Sequence, residues 1–143
     1  MYENNVEIIF DAKSENESFA RVAAAAFVTK LDPTLEEISD IKTAVSEAVT
    51  NSIVHGYEGR EGKVYRRLGA KDNEVTIKIK DEGVGIEKIH RAMEPLFTTK
   101  PELERSGMGF SFMEAFMDER EVQSKVQKGT TIIMKKKIGD SSR

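Results

Sequence analysis

Ser46-Glu-Ala-Val-Thr-Asn-Ser-Ile-Val-His-Gly-Tyr57 is the stretch from which the rest of the chain is read. Glu47, Asn51 and His55 recur every four residues within a run of helical apolar periodicity. On an α-helix such positions share one face, so they form a polar stripe. Ile38, Ile41, Val45, Ala48, Val49 and Ile53 make an apolar stripe on the other side. A carboxylate, an amide and an imidazole bordering a core-facing stripe suggest a helix with a ligand on its polar side. The alternative is a plain solvent-facing helix, with His55 a structural helix-end residue.

Upstream, over 4–12, Val6, Ile8 and Phe10 share one parity and Glu7 and Asp11 the other, which predicts a half-buried strand. Ser14-Glu-Asn-Glu17 has the form of a capping box. A helix is expected after it, with Phe19, Val22, Ala23, Ala26 and Phe27 inward. Leu31-Asp-Pro-Thr34 interrupts that helix, and Thr34-Leu-Glu-Glu37 is a second capping box that opens the central one. Gly56 ends it.

Downstream, residues 63–70 and 75–80 alternate as strands joined by the turn Lys71-Asp-Asn-Glu74. A short helix is expected around 87–93 and a second from Gly107 to Met117. Strands follow at 120–126, with Val122 and Val126 inward, and at 132–138. Arg66 and Arg120 fall on the inward parity of their strands, where aliphatic residues are expected. The order of elements predicts an α+β fold, a two-layer sandwich of helices on a mixed, mostly antiparallel sheet. Residues 1–138 read as one domain and 139–143 as a disordered tail.

Composition narrows the function. A chain of 143 residues without cysteine has neither a disulfide framework nor a thiolate metal site. A net charge of −3 gives no electrostatic footprint for direct nucleic-acid binding. No apolar run reaches membrane-spanning length. A soluble cytoplasmic protein is expected.

Three further motifs carry chemistry. Asp81-x-Gly83-x-Gly85 stands at a strand end, where glycines admit close approach of a ligand and a carboxylate can accept from an exocyclic amine such as that of adenine. It also reads as a tight strand-to-helix turn. Ser106-Gly-Met-Gly109 opens a helix, whose free amides and dipole suit an anion; a capped helix is the plain alternative. Lys100 and Arg105, in the long loop before it, can reach a phosphate or can simply be solvated. Within the polar stripe, Glu47 suits a general base and the Asn51 amide oxygen a Mg²⁺ ligand. Gly129-Thr-Thr131 also reads as a hairpin turn.

Taken in order, these motifs resemble the nucleotide-binding boxes of the ATPase/kinase superfamily that includes gyrase, histidine kinases, MutL and a heat-shock chaperone, with its Bergerat-type ATP-binding fold. Residues 14–21, 46–56, 81–86 and 95–110 are more closely similar to the sporulation anti-sigma F family of serine-protein kinases. The resemblance covers nearly the whole chain. It implies ATP or ADP with Mg²⁺ as cofactors. By it, Glu47 activates an attacking serine hydroxyl and Asn51 holds Mg²⁺. Asp81 accepts from the adenine amine, Gly83 and Gly85 shape the pocket, and Thr130 helps bind the base. Thr98, Thr99, Lys100, Arg105, Ser106, Gly107, Met108 and Gly109 form the lid and phosphate cradle. Arg21 contacts both sigma factor F and an anti-anti-sigma protein, whose serine is the phosphoryl acceptor, and the protein acts as a homodimer. Two other functions compete: a sigma-binding module with nucleotide as an allosteric ligand and no catalysis, and a free-standing histidine-kinase catalytic domain. Glu47 favours the kinase, and the match at 14–21 counts against the histidine-kinase reading.

Overall fold

In the computed structural model, which describes residues 3–58, 60–84 and 116–139, two helical segments pack on one face of a five-stranded sheet. The strands are β1 (Glu3–Asp11), β2 (Lys63–Lys71), β3 (Glu74–Asp81), β4 (Glu119–Lys125) and β5 (Gly129–Lys137). Their spatial order is β1-β2-β3-β5-β4, and every pairing among them is antiparallel. The two-layer α+β expectation is met, without a parallel pair among the described strands. The helices expected around 87–93 and from 107 lie outside the described residues.

Helix α1 (Glu15–Val28) differs from expectation in the face it buries. Ala20, Ala24 and Val28 are buried, whereas Phe19 and Val22 are more than half exposed. An alanine stripe lets α1 come close to its neighbours, so the small residues face inward and the large ones outward. The Ser14 capping box does not form. Ser14 has helical dihedrals (φ −54°, ψ −35°) and makes no side-chain cap bond. Glu17 is instead the acceptor for the Ser46 hydroxyl on the second helix.

Helix α2 (Leu35–Thr50) starts as its sequence predicts. Thr34 Oγ1 accepts from the Glu37 amide at 3.0 Å, and Glu37 accepts from the Thr34 amide at 2.9 Å. The same Glu37 carboxylate accepts from the Gly139 amide at 3.0 Å, tying the end of the chain to the start of α2. Ile41, Val45, Ala48, Val49 and Ile53 are buried as the apolar stripe requires, while Ile38 is only half-buried.

In the sheet, Val64, Leu68, Ala70, Val75, Ile77 and Ile79 are buried, with Ile132 and Met134 beside them. On the edge strand β1 only Phe10 is buried, and Val6 is exposed. Val126 lies beyond β4 and is exposed, contrary to its inward parity. The other strand-parity misfits hold. Arg120 is half-buried, and Arg66 is fully buried beneath α1.

Candidate nucleotide site

The site is organised around Asp81, the last residue of β3, which is 1 % exposed. Its Oδ1 accepts from the Gly83 amide at 2.9 Å. Burial pushes its pKa up from the ordinary carboxylate value, against opposing interactions with the Gly83 amide, the Ser52 hydroxyl and the Thr130 backbone. Oδ2 remains buried without a hydrogen-bond partner among the described residues. A buried carboxylate oxygen with no donor is costly unless a ligand supplies one.

Glycines hold this carboxylate in place by letting backbones meet. A Cβ on Gly83 would lie 2.0 Å from the Gly56 carbonyl oxygen, and one on Gly56 would lie 2.8 Å from Asp81 Oδ1. The Val84 amide donates to that Gly56 carbonyl at 2.8 Å. Gly83 is required by close approach, since its φ is not positive. Gly129 is required on both counts: its φ is +105°, and a Cβ there would lie 2.1 Å from the Asp81 carbonyl oxygen. Thr130 sits directly across the ladder from Asp81 and is buried, its hydroxyl 2.8 Å from that of Ser124. Tyr57 braces the same strand end. Its hydroxyl donates to the Lys63 carbonyl at 2.6 Å and accepts from the Glu82 amide at 2.7 Å.

Glu47 and Asn51 stand on the half-buried side of the central helix. At Asn51 the helix widens into a π-turn, Asn51–Gly56, with the Tyr57 amide bonded to the Ser52 carbonyl at 3.0 Å. Such wide turns are frequent at functional sites. Here the turn delivers Gly56 against Asp81 and carries half-buried His55 as well. Glu47 also lines an open groove of about 510 Å³ together with Arg21 of α1. Arg21 lies 3.9 Å from Glu17, which also receives the Ser46 hydroxyl.

The structure therefore brings Asp81, Gly83 and Thr130 together, and Glu47 together with Arg21. Gly85, Thr98, Thr99, Lys100, Arg105, Ser106, Gly107, Met108 and Gly109 lie outside the described residues. Ser52, Gly56, Tyr57 and Gly129 join the site without having been singled out for it. Only Gly129 carried a signal, in the run Gly129-Thr-Thr131. The others act through backbone contacts and cross-chain bonds that leave no local motif.

Known proteins are similar to this chain over nearly its whole length. A sequence model described as "histidine kinase-like ATPase domain" matches residues 10–136. A protein of Clostridium acetobutylicum named anti-sigma F factor is 62% identical over 138 residues, 96% of each chain. The chain belongs to the anti-sigma F factor family of histidine kinase-like ATPases. A Clostridium kluyveri anti-sigma F factor is 60% identical over 136 residues, covering 95% of this chain and 96% of its own. One from Clostridium botulinum (strain Eklund 17B / Type B) is 60% identical over 139 residues, 96% of this chain and 97% of its own. The family's ATPase domain implies nucleotide binding. No helix among the described residues is long and apolar enough to cross a membrane.

Proposed function

We propose that this protein is an ATP-dependent serine-protein kinase of the cytoplasm that binds and inhibits sigma factor F and phosphorylates its anti-anti-sigma antagonist on serine. The observation that carries this reading is the buried Asp81 Oδ2 without a donor, held by glycine-only backbone contacts beside Thr130. An adenine exocyclic amine supplies the missing donor, and the Thr130 side of the pocket completes recognition of the base. Gly83 and Gly85 shape the pocket. The lid and phosphate cradle are assigned to Thr98, Thr99, Lys100, Arg105, Ser106, Gly107, Met108 and Gly109.

Phosphoryl transfer needs positioning and charge neutralisation more than covalent chemistry from the protein. Glu47 accepts the proton of the substrate serine hydroxyl as its oxygen bonds to the γ-phosphorus. The bond from that phosphorus to the β-phosphate oxygen breaks, leaving ADP. No group of three His, Cys, Asp or Glu side chains suited to a metal occurs among the described residues. Mg²⁺ is commonly held by phosphate oxygens with few protein ligands, and Asn51 is proposed as its amide ligand. Bound Mg²⁺ would neutralise phosphate charge. Arg21 serves as a contact for both protein partners.

A homodimer is part of the proposal. Its support is the exposed pair Phe19 and Val22 on α1 and the edge position of β1. Sedimentation at micromolar concentration checks it, and a monomer there refutes it.

The test of the kinase is incubation with labelled ATP, Mg²⁺ and the anti-anti-sigma protein. Phosphoserine on that protein is expected. Bound nucleotide and sigma inhibition without phosphoserine would leave a nucleotide-regulated sigma-binding module.

A further inference from the structure

The groove that ends at Glu47 runs along one stripe of α2 through Leu35, Ile38, Lys42, Thr43 and Ser46, with Arg21 of α1 beside it. These positions repeat at helical spacing, so the groove follows the helix axis. Its far end is apolar: Leu35 is 86 % exposed, and Ile38 is half-buried. Its middle is cationic. Half-buried Lys42 has no ion pair or hydrogen bond among the described residues. Arg21 Nε is buried without an acceptor among the described residues, although its guanidinium lies near Glu17 and donates to Ser18 Oγ at 3.4 Å. The acidic groups nearby are Glu47 at the groove's end and Glu17, which is engaged by the Ser46 hydroxyl. Arg21 Nε is thus a buried cationic donor lacking an acceptor among the described residues, and Lys42 is a second cation in the same open groove, a charge that suits a carboxylate from outside.

We propose that this groove receives the segment of the protein substrate flanking its phosphoacceptor serine, with a carboxylate side chain against Arg21 and Lys42 and an aliphatic side chain over Leu35 and Ile38. The inference rests on the kinase reading above and adds the sequence preference of the substrate. Glu47 and Lys42 are roughly 7 Å apart along the axis, and Glu47 and Leu35 roughly 18 Å, at a rise of 1.5 Å per residue. An extended chain advances about 3.3 Å per residue. The carboxylate therefore falls about two residues from the serine, and the aliphatic residue about five.

The test uses the full chain with the anti-anti-sigma protein. Steady-state phosphorylation and direct binding in the presence of a non-hydrolysable ATP analogue are measured separately. Lys42→Glu and Leu35→Asp are each expected to raise the KM for the protein substrate, about tenfold or more for Lys42→Glu, with kcat and ATP affinity nearly unchanged. Replacing the substrate's acidic residue near the serine by lysine should restore affinity for Lys42→Glu and weaken it for the parent protein. Unchanged KM and unchanged binding in both variants overturn the groove assignment while leaving the kinase intact. Binding that depends on Lys42 without any phosphoserine supports the groove and sinks the kinase.

Discussion

Nη1 of Arg66, on β2, donates to the backbone carbonyl of Ala20, in the middle of α1. Arg66 is fully buried between sheet and helix, no carboxylate among the described residues pairs with it, and its Nε and Nη2 have no partner. It is not exposed at the surface, and among the described residues it forms no ion pair. Burial alone pulls its pKa down to about 10. Because the folded value lies below the unfolded one, the charged form opposes folding. That cost is complete below pH 10 and shrinks as pH rises from there towards the value of the unfolded guanidinium.

Replacing this guanidinium with an apolar side chain of similar length should therefore stabilise the protein. Arg66→Met is expected to gain about 2 kcal/mol at neutral pH, less than the roughly 3 kcal/mol implied by the pKa difference because packing is not ideal. Urea denaturation at pH 7 checks it. A lower midpoint with unchanged slope would mean that the Ala20 contact outweighs the desolvation.

Asp81→Asn should have opposite effects on stability and binding. The folded pKa of Asp81 is raised, so its carboxylate opposes folding above that pKa, and this cost disappears as pH falls towards the unfolded value. The variant should be more stable than the parent without nucleotide at pH 7, and the gap should close on acidification. Its affinity for ATP should fall about tenfold or more, because the base loses a charged acceptor. Thermal melts across pH with calorimetric ATP titration measure both. Unchanged affinity would remove Asp81 from base recognition.

Gly83→Ala tests the backbone contact. Its added carbon would meet the Gly56 carbonyl at 2.0 Å, a backbone atom unable to swing aside. The expected outcome is a loss of about 1–3 kcal/mol of stability together with weakened nucleotide binding. Wild-type stability in the variant would show that the strand end yields more easily than its packing implies.

Arg21→Glu should weaken sigma capture and substrate phosphorylation while leaving ATP affinity unchanged, since Arg21 lines the groove beside Glu47 and lies on a different helix from Asn51. Pull-down of sigma factor with parallel nucleotide titration decides it. Undiminished capture would refute the placement of Arg21.

The sequence made α2 legible because its capping residues and its apolar stripe agree, and both appear in the structure. It misled at α1, where Phe19 and Val22 suggest the buried face and alanines occupy it. Hydrophobicity ranks side chains, whereas close packing between layers favours small ones. Asp81, Gly83 and Thr130 were visible as motifs because each sits in a short local pattern. Gly56, Ser52 and Tyr57 were not, because their roles arise where the π-turn meets the end of β3. A π-turn leaves no periodic signature within six residues.

The register of the sheet also predicts an order of assembly. β2 and β3 are joined by the tight Asp72-Asn73 turn, and a hairpin of that kind closes in about 1–10 μs. β1 pairs with β2 only after both helices intervene, Glu3 lying opposite Lys71. Its docking carries a far larger loop-closure entropy and should come late. Changes at Asp72 should then alter the rate of folding, whereas changes along β1 should mainly alter the rate of unfolding. Arg66 rides on the early hairpin and loses its water only when α1 settles over it, so this one arginine should set a late barrier on the folding pathway.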